Sequence, residues 1–367
     1  SRPPMDTAKS RSSVRDPANN FPVFGARFLT AEDDVWAHNA WDHVAPPDDQ
    51  DDAVAAALAR QRAAPVAAPD RALYNDSPAR HWDSFYRANQ ANFFKDRKWL
   101  HLEFPELLAA AAASAGPKTV VEFGCGVGNS LFPLLSANAN PALTIRAYDY
   151  SAHAVACLQR NPLYAAPACG SVSAAVHDLT APALPDSLAP ASADFVLLVF
   201  VLSALHPAEW PAALRAAHSA LKPGGTVLIR DYGRHDLTQL RFRSNRLLED
   251  NLYVRGDKTR VYFFELDELA LLFTGQRAKG ADVDVRESTE VQDAPARDPP
   301  PLADRPHSAS TPTIHPSLLS PDPLHPDLPP HPLFAAQQLG IDRRLLVNRK
   351  RQLKMYRVWM QAKFIKL

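Results

Sequence analysis

Cysteine is scarce: Cys125, Cys157 and Cys169 are the only three in 367 residues. Their spacing suits neither a zinc site nor an even-numbered disulfide framework, so they point to a reducing compartment and to no bound metal. Net charge is missing as well, with 40 Lys and Arg against 40 Asp and Glu. Bulk charge therefore selects no partner, and a polyanion would have to be met by local patches. No apolar run approaches the ~18–20 residues of a membrane span, which excludes a membrane helix. Glycine is sparse at 13 residues, yet Gly124, Gly126 and Gly128 fall within five positions.

That cluster organises the chain. The apolar run from Thr119 to Phe123 reads as a buried strand that enters the turn Gly124-Cys125-Gly126-Val127-Gly128 and then a helix near Leu131–Ser136. Glycines there let the backbone bend tightly and approach a ligand at the strand's carboxyl end. The alternation continues downstream: strand 143–148 ending at Asp149, helix 153–159, strand 173–176 ending at His177 and Asp178, and strand 194–200. A helix over 208–221, a Lys222–Gly225 turn and strand 226–230 ending at Asp231 follow. Strands alternating with helices predict parallel pairing: an α/β, Rossmann-like, doubly wound and mostly parallel sheet with helices on both faces.

The flanks differ in character. Residues 1–20 have no hydrophobic period and read as disordered; Arg2, Lys9, Arg11 and Arg15 among serines resemble a transit peptide too short to assign. The expected compartment is the cytoplasm, with the mitochondrion as the alternative. Residues 21–110 form an aromatic and basic extension. In it Thr30 followed by Asp33 predicts a short docking helix, Asp48–Asp70 a linker or fraying helix, and Trp82 and Tyr86 share one helix face. Phe93, Phe94 and Trp99 are interleaved with Lys95, Arg97 and Lys98, a pattern able to stack bases and hold phosphates. The sheet domain runs over 111–283, with a strand and a helix capped near Glu265–Asp267 towards its end. Thirteen of the 34 prolines lie between Pro295 and Pro332, so 284–335 reads as a disordered insertion. In 336–367, Asp342–Leu367 carries nine Lys and Arg against one acid, and its end alternates like a strand returning to the sheet.

The glycine turn also discriminates between cofactors. Asp149 follows the glycines by about 20 residues, where an acid binds ribose hydroxyls in both NAD and S-adenosylmethionine sites. Asn129 stands where a dinucleotide fingerprint needs its third glycine. S-adenosylmethionine has no pyrophosphate to seat there, and Asp178 adds a carboxylate suited to the adenine amino group. These residues favour a class I methyltransferase.

Longer stretches make the resemblance specific. The segments FGARFLTAEDDVWAHNAWDHV, HWDSFYRANQANFFKDRKWLHLEFPEL, VVEFGCGVGNSLFPLL, RDYGRHDLTQLRF and VNRKRQLKMYRVWMQAKF resemble the tRNA N3-methylcytidine methyltransferase family. The likeness is to the branch that modifies threonine and some arginine tRNAs in the anticodon loop. It implies S-adenosylmethionine bound by Trp82, Tyr86, Gly124, Asp149, Asp178 and Val199. Asp231, Ser203 and His206 would position the target base, with no general base required, and His206 reads more readily as a structural loop histidine than as a base. Lys95, Arg97, Lys98, Arg230, Arg241, Arg255, Arg260, Arg349, Lys350 and Arg351 would grip tRNA, and an auxiliary protein or aminoacyl-tRNA synthetase is a further implied partner. The N-terminal extension is expected to be helical and RNA-binding. Competing expectations are a class I methyltransferase for protein or small molecules, and a catalytically silent tRNA-binding partner.

Overall fold

Uninterrupted apolar runs, not alternating ones, make the centre of this molecule, as expected for strands covered on both faces. The computed structural model describes residues 29–42, 44, 50–278, 314–320 and 325–367. Eleven strands occur among them: β1 (Ala40–Asp42), β2 (Lys118–Phe123), β3 (Leu143–Asp149), β4 (Ser171–Val176), β5 (Ala193–Val199), β6 (Leu221–Tyr232), β7 (Leu247–Glu249), β8 (Leu252–Val254), β9 (Arg260–Tyr262), β10 (Phe334–Asn348) and β11 (Leu353–Lys366). Eight form the main sheet in the order β1-β10-β11-β6-β5-β2-β3-β4.

From β6 to β4 the pairing is parallel, with Val120 opposite both Phe195 and Ile145. The order reverses between β3 and β5, on either side of β2, which sets a crevice at the carboxyl ends of β2 and β5. Val121, Val196, Leu198, Val227 and Ile229 pack on one face against Trp210, Leu214, Leu269 and Phe273. Val120, Ile145, Leu197 and Leu228 pack on the other against Phe104, Leu107, Leu131 and Leu135. The helix Leu266–Thr274 is closed at both ends, by a Glu265/Glu268 capping box and by Gly275 in the left-handed conformation.

The flanks depart from the sequence reading in four places. The carboxyl-terminal region is a long hairpin rather than one returning strand. β11 joins β6 antiparallel from Trp359 to Ile365, and β10 covers β11 along its whole length. Arg343 and Arg344 interrupt the apolar alternation of β10, so its sequence does not mark it as a strand. Second, the Thr30–Asp33 capping signal makes a closed turn, the Asp33 carboxylate accepting from Thr30 N and Oγ1 at 2.8 Å each. The chain then enters β1, not a helix, and β1 caps the edge of β10 with Ala40 opposite Leu346. Third, β6 already begins at Leu221, through the expected Lys222–Gly225 turn. Fourth, Ile314, Leu318, Leu328 and Leu333 are buried in the main core. Those parts of 284–335 are packed, because sparse leucines among the prolines suffice to dock the segment against the Leu266–Thr274 helix. Residues 284–313 and 321–324 of that segment, and residues 1–20, lie outside the described residues. Of the extension, Gln50–Ala63, Ala68–Asn75 and Pro78–Asn89 are helical.

Candidate active site

The Pro78–Asn89 helix lies over the glycine turn and closes one side of a cavity of about 600 Å³. Gly124 and Gly126 both have positive φ, +66° and +54°. A Cβ on Gly126 would meet the Tyr86 hydroxyl at 2.5 Å, and one on Gly124 would meet Val201 at 2.6 Å. The turn therefore has to be glycine for the helix and the β5 loop to approach it.

Asp149 ends β3 and is held from two sides. Gly126 N and Ser151 N donate to its two oxygens at 2.8 Å each. Burial pushes its carboxyl up to about 6, with those two amides partly offsetting the penalty. Each oxygen keeps an acceptor site, which ribose hydroxyls can use. Asp178 lies exposed at the far wall, one oxygen fixed by Thr180 N and Oγ1. Val199 ends β5, on the other side of β2 from Asp149, and Trp82 stacks on Tyr86 at 5.9 Å and 30°. Trp82, Tyr86, Gly124, Asp149, Asp178 and Val199 all line this one cavity. An acidic anchor, an adenine-edge carboxylate, a glycine cradle and an aromatic face for a sulfonium together fit S-adenosylmethionine.

Beyond the cofactor side the same cavity is walled by Phe200, Tyr232, Trp99, Arg97, Arg255 and Asp257. Phe200 has φ +60°, a genuine outlier for a bulky residue, at the carboxyl end of β5. Its ring lies 4.8 Å from Tyr232 and under the Arg97 guanidinium at 5.5 Å, while Arg255 covers Tyr232 at 5.6 Å. The 92–99 loop is tied to the exit of the glycine turn. Arg97 N donates to Asn129 O at 2.8 Å, Arg97 Nη1 to Ser130 Oγ at 2.7 Å, and Asn129 Nδ2 to Asp96 Oδ1 at 3.2 Å. Asn129, where a third glycine would stand, thus serves to moor this loop.

Three expected residues sit elsewhere. Asp231 is fully buried behind the wall, accepting from Ser203 N at 3.0 Å and Tyr232 N at 2.8 Å. It fixes the Leu202–Ala204 turn and does not reach the cavity, although Ser203 does. His206 is outside as well, capping the turn at Pro207 and bonding Glu249 at 3.0 Å. Arg260 is 2 % exposed and paired with Glu209 at 2.8 Å, so it cannot take a phosphate. Arg230 lines the cavity between Trp99 and Trp359, but its guanidinium is bound by Asp342 and Gln361. Asp342 also takes Arg344; burial would raise its carboxyl, and the two guanidiniums hold it well below the usual range instead. Lys95, Arg97 and Arg255 line the cavity, and Lys98 and Arg241 are exposed. Arg349, Lys350 and Arg351 form the exposed hairpin turn between β10 and β11, 349 sharing the Asn39 side chain.

One residue escaped the sequence reading. Glu122, inside β2, is 2 % exposed and neither oxygen has a hydrogen-bond partner of acceptable geometry. Burial pushes its carboxyl up to about 7, with Arg97 and Ser130 nearby opposing the shift. The signal was present: a lone acid among the apolar residues Val120, Val121 and Phe123, two residues before the first glycine.

A methyltransferase-domain family model matches residues 96–276. The tRNA(Thr) (cytosine(32)-N(3))-methyltransferase of Saccharomyces cerevisiae is 42% identical over 93% of this chain, which spans 45% of that protein. The tRNA N(3)-methylcytidine methyltransferase trm140 of Schizosaccharomyces pombe is 38% identical over 99% of both chains. The tRNA N(3)-cytidine methyltransferase METTL2 of Xenopus tropicalis is 32% identical over 94% of both. Agreement of this extent, across a cavity built for a methyl donor, makes the chain a member of the tRNA N3-methylcytidine methyltransferase family.

Proposed function

We propose that this chain methylates N3 of a cytidine in the anticodon loop of tRNA, with threonine tRNA as the first substrate to test. One observation carries the reading: the cofactor residues and the Phe200–Tyr232 wall face a single continuous cavity. A methyl donor and a base can meet there without crossing protein.

When bound, S-adenosylmethionine supplies an electrophilic methyl on a sulfonium sulfur. Cytosine N3 carries an in-plane lone pair and no proton, so the transfer needs no general base. What the chain must supply is collinear placement and exclusion of water. Trp82 and Tyr86 shield the cationic end. Phe200 and Tyr232 give the base an apolar face, and Arg97 and Arg255 brace those rings. Because N3 is normally engaged in pairing, the base must be splayed from the loop. The product base is cationic, and the Asp257 carboxylate on the substrate side offsets that charge; its Oδ1 accepts from Thr259 N at 2.9 Å and Thr259 Oγ1 at 2.6 Å. Asp231 acts as a positioning residue through Ser203.

The test is nucleoside mass spectrometry of unmodified tRNA incubated with the purified chain and S-adenosylmethionine. One arm adds the cognate aminoacyl-tRNA synthetase, the kind of partner the resemblance implies. N3-methylcytidine in threonine tRNA supports the proposal. Cofactor binding by calorimetry with no product in either arm makes the chain a silent tRNA-binding relative.

A further inference from the structure

Phe93 is a large aromatic ring left 58% exposed at the mouth of the cavity it helps to line. A single exposed apolar residue is ordinary. This one is held in a particular way. Its ring meets Phe85 edge-on at 4.9 Å and 79°, and Phe94 at 4.9 Å and 81°. Phe85 in turn packs against Trp82 and Tyr86 on the cofactor side. The ring is thus fixed on a rigid aromatic base, with much of its surface in water. Lys95, which lines the cavity with it, and Lys98 on the same loop are exposed, and neither takes part in an ion pair among the described residues. The Asn129 moorings hold this loop at the cavity's edge.

We propose that Phe93 is a second base platform: it stacks on the nucleotide adjacent to the target cytidine while Lys95 and Lys98 meet the flanking phosphates. The inference rests on the tRNA reading above and deepens it. Drawing one base into the cavity unstacks its neighbour, and a rigid ring at the rim restores the lost stacking. The two cations favour a polyanion over an apolar peptide as the occupant. Stacking on a π-face is tolerant of base identity, so the platform sets register along the loop without reading sequence.

The experiment is a double-mutant cycle with the full chain. Binding is measured for Phe93→Ala, Phe93→Trp and the parent, against threonine tRNA and against the same tRNA made abasic on one or other side of the target. Calorimetry with S-adenosylhomocysteine and a melting curve accompany each protein, so that a loss of cofactor affinity or of folding is told apart from a loss of stacking. The expected result is about a tenfold loss for Phe93→Ala, recovery in Phe93→Trp, and no further loss from Phe93→Ala when one of the two neighbours is abasic. Parent-like affinity in Phe93→Ala, or losses that multiply at both abasic positions, overturns the platform while leaving methylation intact. A parent that neither binds nor methylates tRNA overturns the proposed function itself, and the platform with it.

Discussion

At the scale of single residues, the legible part of the site was the part written as spacing. Asp149 follows the glycines at the distance of one βα unit, and its carboxylate lines the cavity, oriented by two backbone amides. Asp149→Ala should leave the fold intact and weaken S-adenosylhomocysteine binding by about 10- to 100-fold, the worth of lost charge-assisted hydrogen bonds; calorimetry reads it. Asp231 and His206 also end strand–loop segments, yet they turn inward to hold turns, a difference of side-chain direction that no spacing encodes. Glu122 gives a pH test. Its folded carboxyl is raised to about 7 from the ordinary 4.5, so the folded form holds its proton more tightly than the unfolded form. Stability from this group is therefore fully present below about pH 4.5 and is lost as pH rises through 7, by up to about 3 kcal/mol. Glu122→Gln, without ligand, should melt a few degrees above the parent at pH 8 and level with it at pH 5. Equal melting temperatures at both pH values would show that the carboxylate is solvated or paired.

At the scale of elements, strands β2 to β6 followed from apolar runs, and the flanking elements did not. The β10–β11 hairpin is dense in arginine because Arg344 is spent inside, on Asp342 and on Glu103 at 2.8 Å, while Arg349, Lys350 and Arg351 remain at the exposed turn. Composition alone could not divide the two groups. Replacing the three turn cations with Ala should weaken tRNA binding and flatten its log–log salt dependence by roughly 2, with cofactor affinity and melting unchanged. A parental slope would make the turn a solvated tip only. The described part of the proline-rich segment is docked on the core through Ile314, Leu318 and Leu328. Removing 284–311 and joining the ends with a short linker should preserve melting temperature and activity. Extending the deletion to 331 removes Ile314, Leu318 and Leu328 from the core and should cost several kcal/mol. Equal melting of the two deletions would show that the docked leucines add nothing.

At the scale of the molecule, the sheet order brings two half-sites to one crevice: the glycine turn and Asp149 beside β2, and the Phe200 loop after β5. The first half could be anticipated from the chain. The second depends on a positive φ at Phe200 and on arginines drawn from separate loops, which meet only in the folded state. The central claim is that this crevice presents cytosine N3, and no other atom, to the methyl donor. The most direct measurement is single-turnover transfer of labelled methyl to threonine tRNA and to the same tRNA carrying 3-deazacytidine at the target. A carbon replaces the N3 lone pair there and the shape is kept. The account predicts transfer to the first and none to the second at comparable binding; equal labelling of both would contradict it.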